Sequence, residues 1–220
     1  MTASRSDTDV VRDLLDRAGR TFAEEARITL KDTPKPLFQL LVLSMLLSSR
    51  ISADIATRAA RELFAAGWRT PDTMEAAPRA EVIAALQQRG RYTRYDESTA
   101  TRLRKMAHRV TAEYRGDLRE LAQRSDHDAG AAARLLEEFD GIGPVGAEIF
   151  LREVQDTWTW LRPHLDDRAL DGAEALHLPR DRGGLGALAG TRGMAPLAAA
   201  LVRVTIDSQL RDELSGSGER

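Results

Sequence analysis

The sequence predicts an all-α protein with no sheet, and three observations support this class. Ala, Leu, Arg and Glu dominate the 220 residues, and these residue types favour helix. Apolar residues such as Val10, Leu14 and Ala18 recur at helical spacing, whereas few segments alternate like a strand. With 42% hydrophobic and 30% charged residues, the composition is that of a folded chain that can bury a core.

Proline and glycine predict where the successive helices begin and end. Pro34 and Pro36 end the first helix and open a second, which is apolar on nearly every side and is therefore expected inside the core. Residues 179–193 are rich in glycine and arginine, so we expect a mobile loop there. Asp166 is expected to open a helix near the C-terminal third of the chain. The other predicted helices lie at about 9–30, 36–49, 53–66, 71–76, 78–86, 96–114, 117–123, 129–138, 144–155 and 195–214.

The length of the chain indicates a single domain, which we expect in two lobes. One lobe should comprise about residues 37–135, and the other the N-terminal helix together with 136–214. Residues 1–8 are expected to be frayed and 215–220 to form a tail.

Composition excludes several classes of protein. The absence of cysteine excludes disulfides, a thiolate nucleophile, cysteine-ligated zinc and a cysteine-ligated iron–sulfur cluster. The longest apolar run, Leu37 to Leu47, is too short to span a bilayer, and no apolar signal segment follows the N-terminus. We therefore expect a cytoplasmic protein without a membrane partner, and nothing in the sequence demands more than a monomer.

A net charge of −2 means that any contact with nucleic acid must come from a local basic patch. Residues 89–109 are the candidate, because their seven Lys and Arg face only Asp96 and Glu97, with Tyr92 and Tyr95 interleaved. A solvated helix face is the alternative interpretation. The four histidines show no paired helical spacing, which argues against a transition-metal site.

Residues 135–155 are the most informative segment. Two short helices meet at a Gly-Ile-Gly turn (141–143), and Pro144 opens the second of them. Such a turn exposes backbone N–H groups at a helix start, which is a ready site for phosphate. Glu148 and Glu153 are expected on the solvent face of the second helix.

The order of these features resembles the helix-hairpin-helix, Gly/Pro-loop and aspartate superfamily of DNA glycosylases, nearest to endonuclease III and the adenine-mismatch glycosylases. The hairpin is followed by an aromatic and proline-containing loop (156–165) and then by an aspartate at a helix start. Upstream, Leu47 to Asp54 resembles the family segment that enters the duplex and fills the space left by a flipped base. The similarity covers roughly residues 37–178.

The resemblance implies a set of functional residues. It places the catalytic carboxylate at Asp166, with Asp167 in reserve because a one-residue shift of the loop would exchange them. It implies a wedge at Arg50, and a Na⁺ or K⁺ ion as the one plausible cofactor, with none required. Contacts to double-stranded DNA would come from Gly141, Gly143, Val145, Gly146, Ser49 and Arg50. The cation would be held by the backbone carbonyls of Glu137, Phe139 and Ile142.

The chemistry follows from the bond to be cleaved. Breaking an N-glycosidic bond builds oxocarbenium character on the sugar, which a nearby carboxylate stabilises after the base has left the stack. Bifunctional relatives attack with a lysine, but valine stands at the matching position 145, and no lysine follows Lys105. The resemblance therefore implies a monofunctional glycosylase that uses Asp166 and water.

Alternative interpretations remain open for several of these residues. Trp158, Trp160 and Tyr92 could line a pocket for a flipped base, or the aromatic residues could seal their loops onto the core. Asp166 could serve as a structural N-cap. The whole chain could be a non-catalytic helix-hairpin-helix DNA-binding module, or a helical scaffold that binds no nucleic acid.

Overall fold

The computed structural model of the protein describes residues 5–215, and all regular structure within this range is helical. The predicted all-α class is confirmed. No single helix in the described range is long and apolar enough to cross a membrane, although one pair bent by 114°, Arg182–Arg192 with Met194–Ile206, passes a test of length and composition.

The chain divides into two compact units, Ala23–Leu151 and Met1–Phe22 with Arg152–Arg220. We call them the central unit and the terminal unit. The division differs from the expected lobes, because residues 136–151 fall within the central unit. Residues 1–4 and 216–220, which include part of the expected frayed terminus and tail, lie outside the described range.

The central unit is built around one fully apolar helix. The helix α3 buries a continuous run from Leu37 to Leu46, as its sequence predicts. Burial on every side is typical of a helix that runs through a core rather than along its surface. The helices that begin in this unit or reach into it are α2 (Phe22–Glu25), α3 (Pro34–Leu47), α4 (Ala53–Ala65), α5 (Pro71–Glu75), α6 (Arg79–Ala84), α7 (Asp96–Tyr114), α8 (Arg119–Arg124), α9 (Ala129–Glu137) and α10 (Pro144–Val154).

The terminal unit packs around a second buried helix, Met194–Ile206. Its contact with the helix Asp167–Ala175 is close, because a Cβ atom on Gly172 would lie 2.7 Å from the carbonyl carbon of Leu201 and nearer still to its oxygen. Only glycine allows the two backbones to approach in this way. The helices of this unit are α1 (Asp7–Ala18), α11 (Asp167–Ala175), α12 (Arg182–Ala189), α13 (Met194–Ile206) and α14 (Ser208–Leu214).

Three of the predicted boundaries are wrong. The expected first helix at 9–30 is two helices. The first, α1, ends at Ala18 with Gly19 as its C-cap, and α2 ends at Glu25, shortly before Arg27 adopts a left-handed backbone with φ of 60°. The expected loop at 179–193 contains α12, whose first turn is capped by the Asp181 carboxylate. The expected last helix is interrupted at Asp207, which caps α14.

The close approach at Gly172 gives a testable stability prediction. Gly172→Ala should destabilise the protein by about 1–3 kcal/mol or more, because the added methyl group meets backbone that cannot move away. The free energy of unfolding from chemical denaturation measures this effect.

Gly183→Ala is the matched control in the same unit. Its nearest neighbour would be an Asp181 carboxylate oxygen at 3.5 Å, an ordinary contact. The extra methyl group should be neutral or should stabilise α12 by up to about 1 kcal/mol. Equal effects of the two substitutions would contradict the packing described for α11 and α13.

Candidate functional site

The predicted hairpin is present, and its turn requires glycine for two reasons. Gly141 has a φ of 96°, a conformation that other residues rarely adopt. A Cβ atom there would also lie 2.9 Å from the Arg102 side chain and 3.0 Å from the sulfur of Met45. The turn is closed by a hydrogen bond from the Ile142 N–H to the Phe139 carbonyl at 2.9 Å.

The start of α10 leaves backbone donors available to an outside partner. Gly143 precedes the helix and has no side chain to cap it, and Pro144 has no N–H. The first bond of the helical ladder runs from Ala147 to the Gly143 carbonyl at 3.0 Å. The N–H groups of Val145 and Gly146 precede that bond. Val145 is 56% exposed, whereas Gly146 is buried against Ile142 and Ser48, so Val145 carries the accessible donor. This arrangement suits an anion.

The segment that follows α3 lies against this hairpin. A Cβ atom on Gly146 would lie 3.5 Å from that of Ser48. The Ser49 hydroxyl shares a 2.8 Å hydrogen bond with the Tyr92 hydroxyl, which fixes the segment to the core. Arg50 is exposed, and within residues 5–215 its side chain makes no hydrogen bond or ion pair. The structure therefore places Ser48 against the hairpin, and Ser49 and Arg50 follow it along the chain; their contacts to DNA stay a prediction.

The basic helix α7 also faces the hairpin. Lys105 pairs with Asp140 at 3.0 Å, and Arg102 approaches the same carboxylate at 3.8 Å. Arg109 pairs with Glu138 at 2.6 Å. Part of the predicted basic strip thus belongs to the same surface as the turn. Its charge is offset there by acidic residues of the hairpin itself.

Aromatic packing fixes the hairpin to α7. The ring of Phe139 stacks on Tyr114 with 5.6 Å between centroids, and the Arg109 guanidinium lies 5.3 Å from the Phe139 ring centre. Burial raises the pKa of the Tyr114 hydroxyl above its ordinary value. The phenol is neutral at physiological pH and serves as a packing group.

The predicted base pocket is wrong for Tyr92. This residue is 1% exposed, and its hydroxyl contacts Ser49 and Thr99, so no ring face is available for stacking a base. Trp158 is also buried and stacks on Trp160 with 5.7 Å between ring centroids. Trp158 therefore fits the alternative in which the aromatic residues seal their loop onto the core. Trp160 is half-buried and keeps part of its surface open.

Asp166 is the N-cap of α11 and half of a buried ion pair. Its Oδ1 accepts the Ala169 N–H at 3.2 Å, and its Oδ2 accepts a hydrogen bond from the Arg152 guanidinium at 2.6 Å. The side chain of Asp166 is 12% exposed and that of Arg152 only 3%. Asp167, the reserve candidate, is exposed and makes no side-chain hydrogen bond or ion pair within the described range.

This geometry holds one carboxylate in a fixed orientation. A carboxylate has about four acceptor positions, and the cap and the ion pair use two of them. The rest can receive a water molecule or face a developing positive charge. One guanidinium N–H of Arg152 holds Oδ2 and the Ala169 N–H holds Oδ1, while the Arg152 Nε has no hydrogen-bond partner among the described residues.

A fully buried glutamine positions the loop that leads to Asp166. The Gln155 amide donates to the carbonyls of Arg152 and His164, both at 2.9 Å, and accepts the His164 N–H at 2.8 Å. Arg182 donates to the Leu165 carbonyl at 3.0 Å. Sequence reasoning did not find these residues, because a polar side chain on a short helix looks the same whether it is buried or exposed. Glu153 is likewise 1% exposed, so its predicted place on a solvent face is wrong.

The carbonyls predicted to hold a cation offer hard oxygen donors. Those of Glu137 and Ile142 accept no hydrogen bond within residues 5–215, whereas that of Phe139 accepts one from Ile142. Oxygen donors of this kind suit Na⁺ or K⁺. The cation site stays a prediction. Among the described residues, no group of three or more His, Cys, Asp or Glu side chains could hold a metal ion.

Comparison with known proteins finds resemblance in structure alone. No family model matches the sequence, and no curated protein matches it. Two solved structures that resemble the chain are a trapped endonuclease III–DNA covalent intermediate, the estranged-adenine complex, and a non-covalent endonuclease III–DNA complex. They are 15% and 16% identical, have TM-scores of 0.46 and 0.48, and match over 90% of this chain and 85% of theirs. The expected resemblance is thus found, at a level that does not decide activity.

The role of Gln155 can be tested by removing its amide. Gln155→Met should lower the free energy of unfolding by about 1–3 kcal/mol, because the His164 N–H and carbonyl lose their buried partner. Gln209→Met is the control, since the exposed Gln209 bonds only to the Glu213 side chain. It should change stability by no more than about 0.5 kcal/mol. A similar loss in both variants would show that Gln155 does not hold the loop.

Proposed function

We propose that this chain is a DNA-binding base-excision repair protein, a monofunctional DNA N-glycosylase that hydrolyses the bond between a flipped damaged or mismatched base and its sugar. The observation that carries the proposal is the Asp166 carboxylate, fixed by Arg152 and by the start of α11 yet still partly open. An oriented carboxylate of this kind suits the stabilisation of a cationic sugar.

The catalytic step needs a carboxylate and water. As the glycosidic bond lengthens, positive charge grows on the sugar, and the negative Asp166 oxygen stabilises it. The base departs with the bonding electrons and water attacks the anomeric carbon. The proton that the water loses neutralises the departed base. The amine needed for a Schiff base is missing from the hairpin, because position 145 is valine and no lysine follows Lys105.

Binding to double-stranded DNA is the second part of the proposal. The Val145 N–H would donate a hydrogen bond to one phosphate at the start of α10. Arg50, exposed beside the hairpin, has the reach and charge to enter the duplex and to bond the orphaned base. Ser48 lies against Gly146 of the hairpin, and Arg50 follows Ser48 by two residues, which supports a shared role in DNA binding.

A non-catalytic DNA-binding module is the second candidate. It is favoured by the same carboxylate, because a buried ion pair and an N-cap are sufficient structural reasons for an aspartate at position 166. The two proposals agree on DNA binding and differ only in hydrolysis. A scaffold that binds no nucleic acid gives no role to the exposed first turn of α10.

Removing the carboxylate tests the catalytic proposal. Glycosylase activity should be assayed on duplexes with alkylated, oxidised, deaminated or mismatched bases. Strands should break only after alkali, and borohydride should trap no adduct. Asp166→Asn should abolish base release, while Asp167→Asn should retain it. A trapped adduct, or the reverse pattern in the two variants, would refute the assignment.

Stability must be separated from chemistry in this test, because Asp166→Asn leaves a buried guanidinium without its counter-charge. That loss should cost about 3–5 kcal/mol, although asparagine still caps α11. The double variant Arg152→Met, Asp166→Asn removes both charges and should regain most of the stability. A stable but inactive double variant supports catalysis by the carboxylate, whereas an active one excludes it.

The phosphate contact can be tested at Gly143, where an added Cβ meets nothing within 4 Å. Gly143→Asp should stabilise α10 by up to about 1 kcal/mol as a new N-cap. It should weaken duplex binding about tenfold or more, since the carboxylate occupies and repels the phosphate position. Gly143→Ala is the control and should bind normally. Unchanged binding by Gly143→Asp in an anisotropy titration would exclude the site.

A further inference from the structure

The central unit contains a second concave surface, which we call the basic cleft. It has a volume of about 860 Å³ and lies between the segment that follows α2, the first turn of α3, and α4 with the residues after it. Glu62 is the one acidic residue among those that line it. The cationic residues of the basic cleft are Arg27, Lys31, Lys35, Arg58, Arg61 and Arg69.

The cations of the basic cleft differ from most others in the chain because they lack acidic partners. Elsewhere, arginines such as Arg17, Arg109 and Arg180 form ion pairs. Within residues 5–215, no side-chain hydrogen bond or ion pair is made by five of the six cleft cations, namely Arg27, Lys31, Lys35, Arg58 and Arg61. Like charges gathered in a concavity repel one another. In a chain of net charge −2, such a cluster calls for an external anion.

Arg27 lines the basic cleft in a backbone conformation that is unfavourable for arginine. It follows α2 with a φ of 60°, and the Ile28 N–H reaches back to the Ala23 carbonyl at 2.8 Å. Helix ends of this type strongly favour glycine. An arginine there is strained relative to glycine, and its side chain lines the basic cleft.

The start of α3 adds to the positive potential of the basic cleft. Thr33 makes no side-chain cap bond to this 14-residue helix, and Thr33 and Lys35 line the cleft. The positive end of the helix dipole therefore faces the same space. The other end of α3 leads to Arg50, about 20 Å away at 1.5 Å per residue. The basic cleft is thus separate from the proposed DNA contacts.

We infer that the basic cleft binds a compact polyanion, a small molecule carrying two or more linked phosphate groups. Arginine forks and lysine point charges from several segments suit adjacent phosphates. The volume is in the range of small-molecule sites, and Pro36 and Phe64 supply an apolar wall for the rest of the ligand. The inference does not depend on glycosylase activity.

Calorimetry with inorganic triphosphate at low salt tests the inference on the full chain. We expect saturable binding with one site, and a loss of affinity of at least about tenfold in Arg58→Glu, Arg61→Glu. Arg134→Glu, a charge reversal at an exposed position outside the cleft, should bind triphosphate like the parent protein. No binding by the parent, or equal affinity in all variants, would overturn the proposal.

Two further measurements distinguish a loss of binding from a folding defect, and a small polyanion from a nucleic acid. Arg27→Gly relieves the left-handed strain, so its melting temperature should equal or exceed that of the parent while triphosphate affinity falls. Unchanged affinity in this stable variant would remove Arg27 from the site. A single-stranded oligonucleotide should compete with triphosphate weakly. Oligonucleotide binding that needs Arg58 and Arg61, without triphosphate binding, would make the cleft a nucleic-acid groove and refute the small-molecule assignment.

Discussion

The buried ion pair between Arg152 and Asp166 is the constraint on which the terminal unit depends. A guanidinium that is almost fully buried is stable only with a hydrogen-bonded counter-charge, so the two residues must be held together. Two polar residues that follow Arg152 within one helical turn hold the neighbouring segments in place. Gln155 fixes the loop before Asp166, and the Asp156 carboxylate accepts the N–H groups of Met194 and Ala195 at the start of α13, at 3.0 and 3.1 Å.

In the central unit the corresponding constraint is the close approach of α3 to the hairpin turn. The core helix α3 ends against the hairpin turn, where Met45 leaves no room for a side chain on Gly141. The same contact places the segment with Arg50 beside the start of α10. A packing requirement therefore produces a surface where backbone donors and an exposed arginine lie together. Substitutions at Gly141 would disturb packing together with the proposed phosphate contact, which makes Gly143 the more informative position for testing that contact.

Sequence patterns predicted those features that depend on local chemistry. The Gly-Ile-Gly turn, the proline at the start of α10 and the capping role of Asp166 all follow from backbone geometry that each residue type allows or excludes. Burial of polar side chains could not be predicted in this way. Arg152 and Gln155 resemble surface residues in sequence. The burial of Tyr92 is equally invisible there, because nothing in the sequence shows that its hydroxyl contacts Ser49 and Thr99, 43 and 7 residues away.

The two candidate anion sites use different physics. At the hairpin, Lys105 and Arg109 already have Asp140 and Glu138 as partners, so the available groups are mainly N–H dipoles and the single charge of Arg50. Dipoles select phosphate by geometry and add little long-range attraction. In the basic cleft the cations have no such partners. Their attraction for an anion therefore acts over a Debye length. The two proposals are therefore compatible with a net charge of −2, because fitted contacts would hold a duplex at one surface while unpaired cations would attract a small polyanion at another.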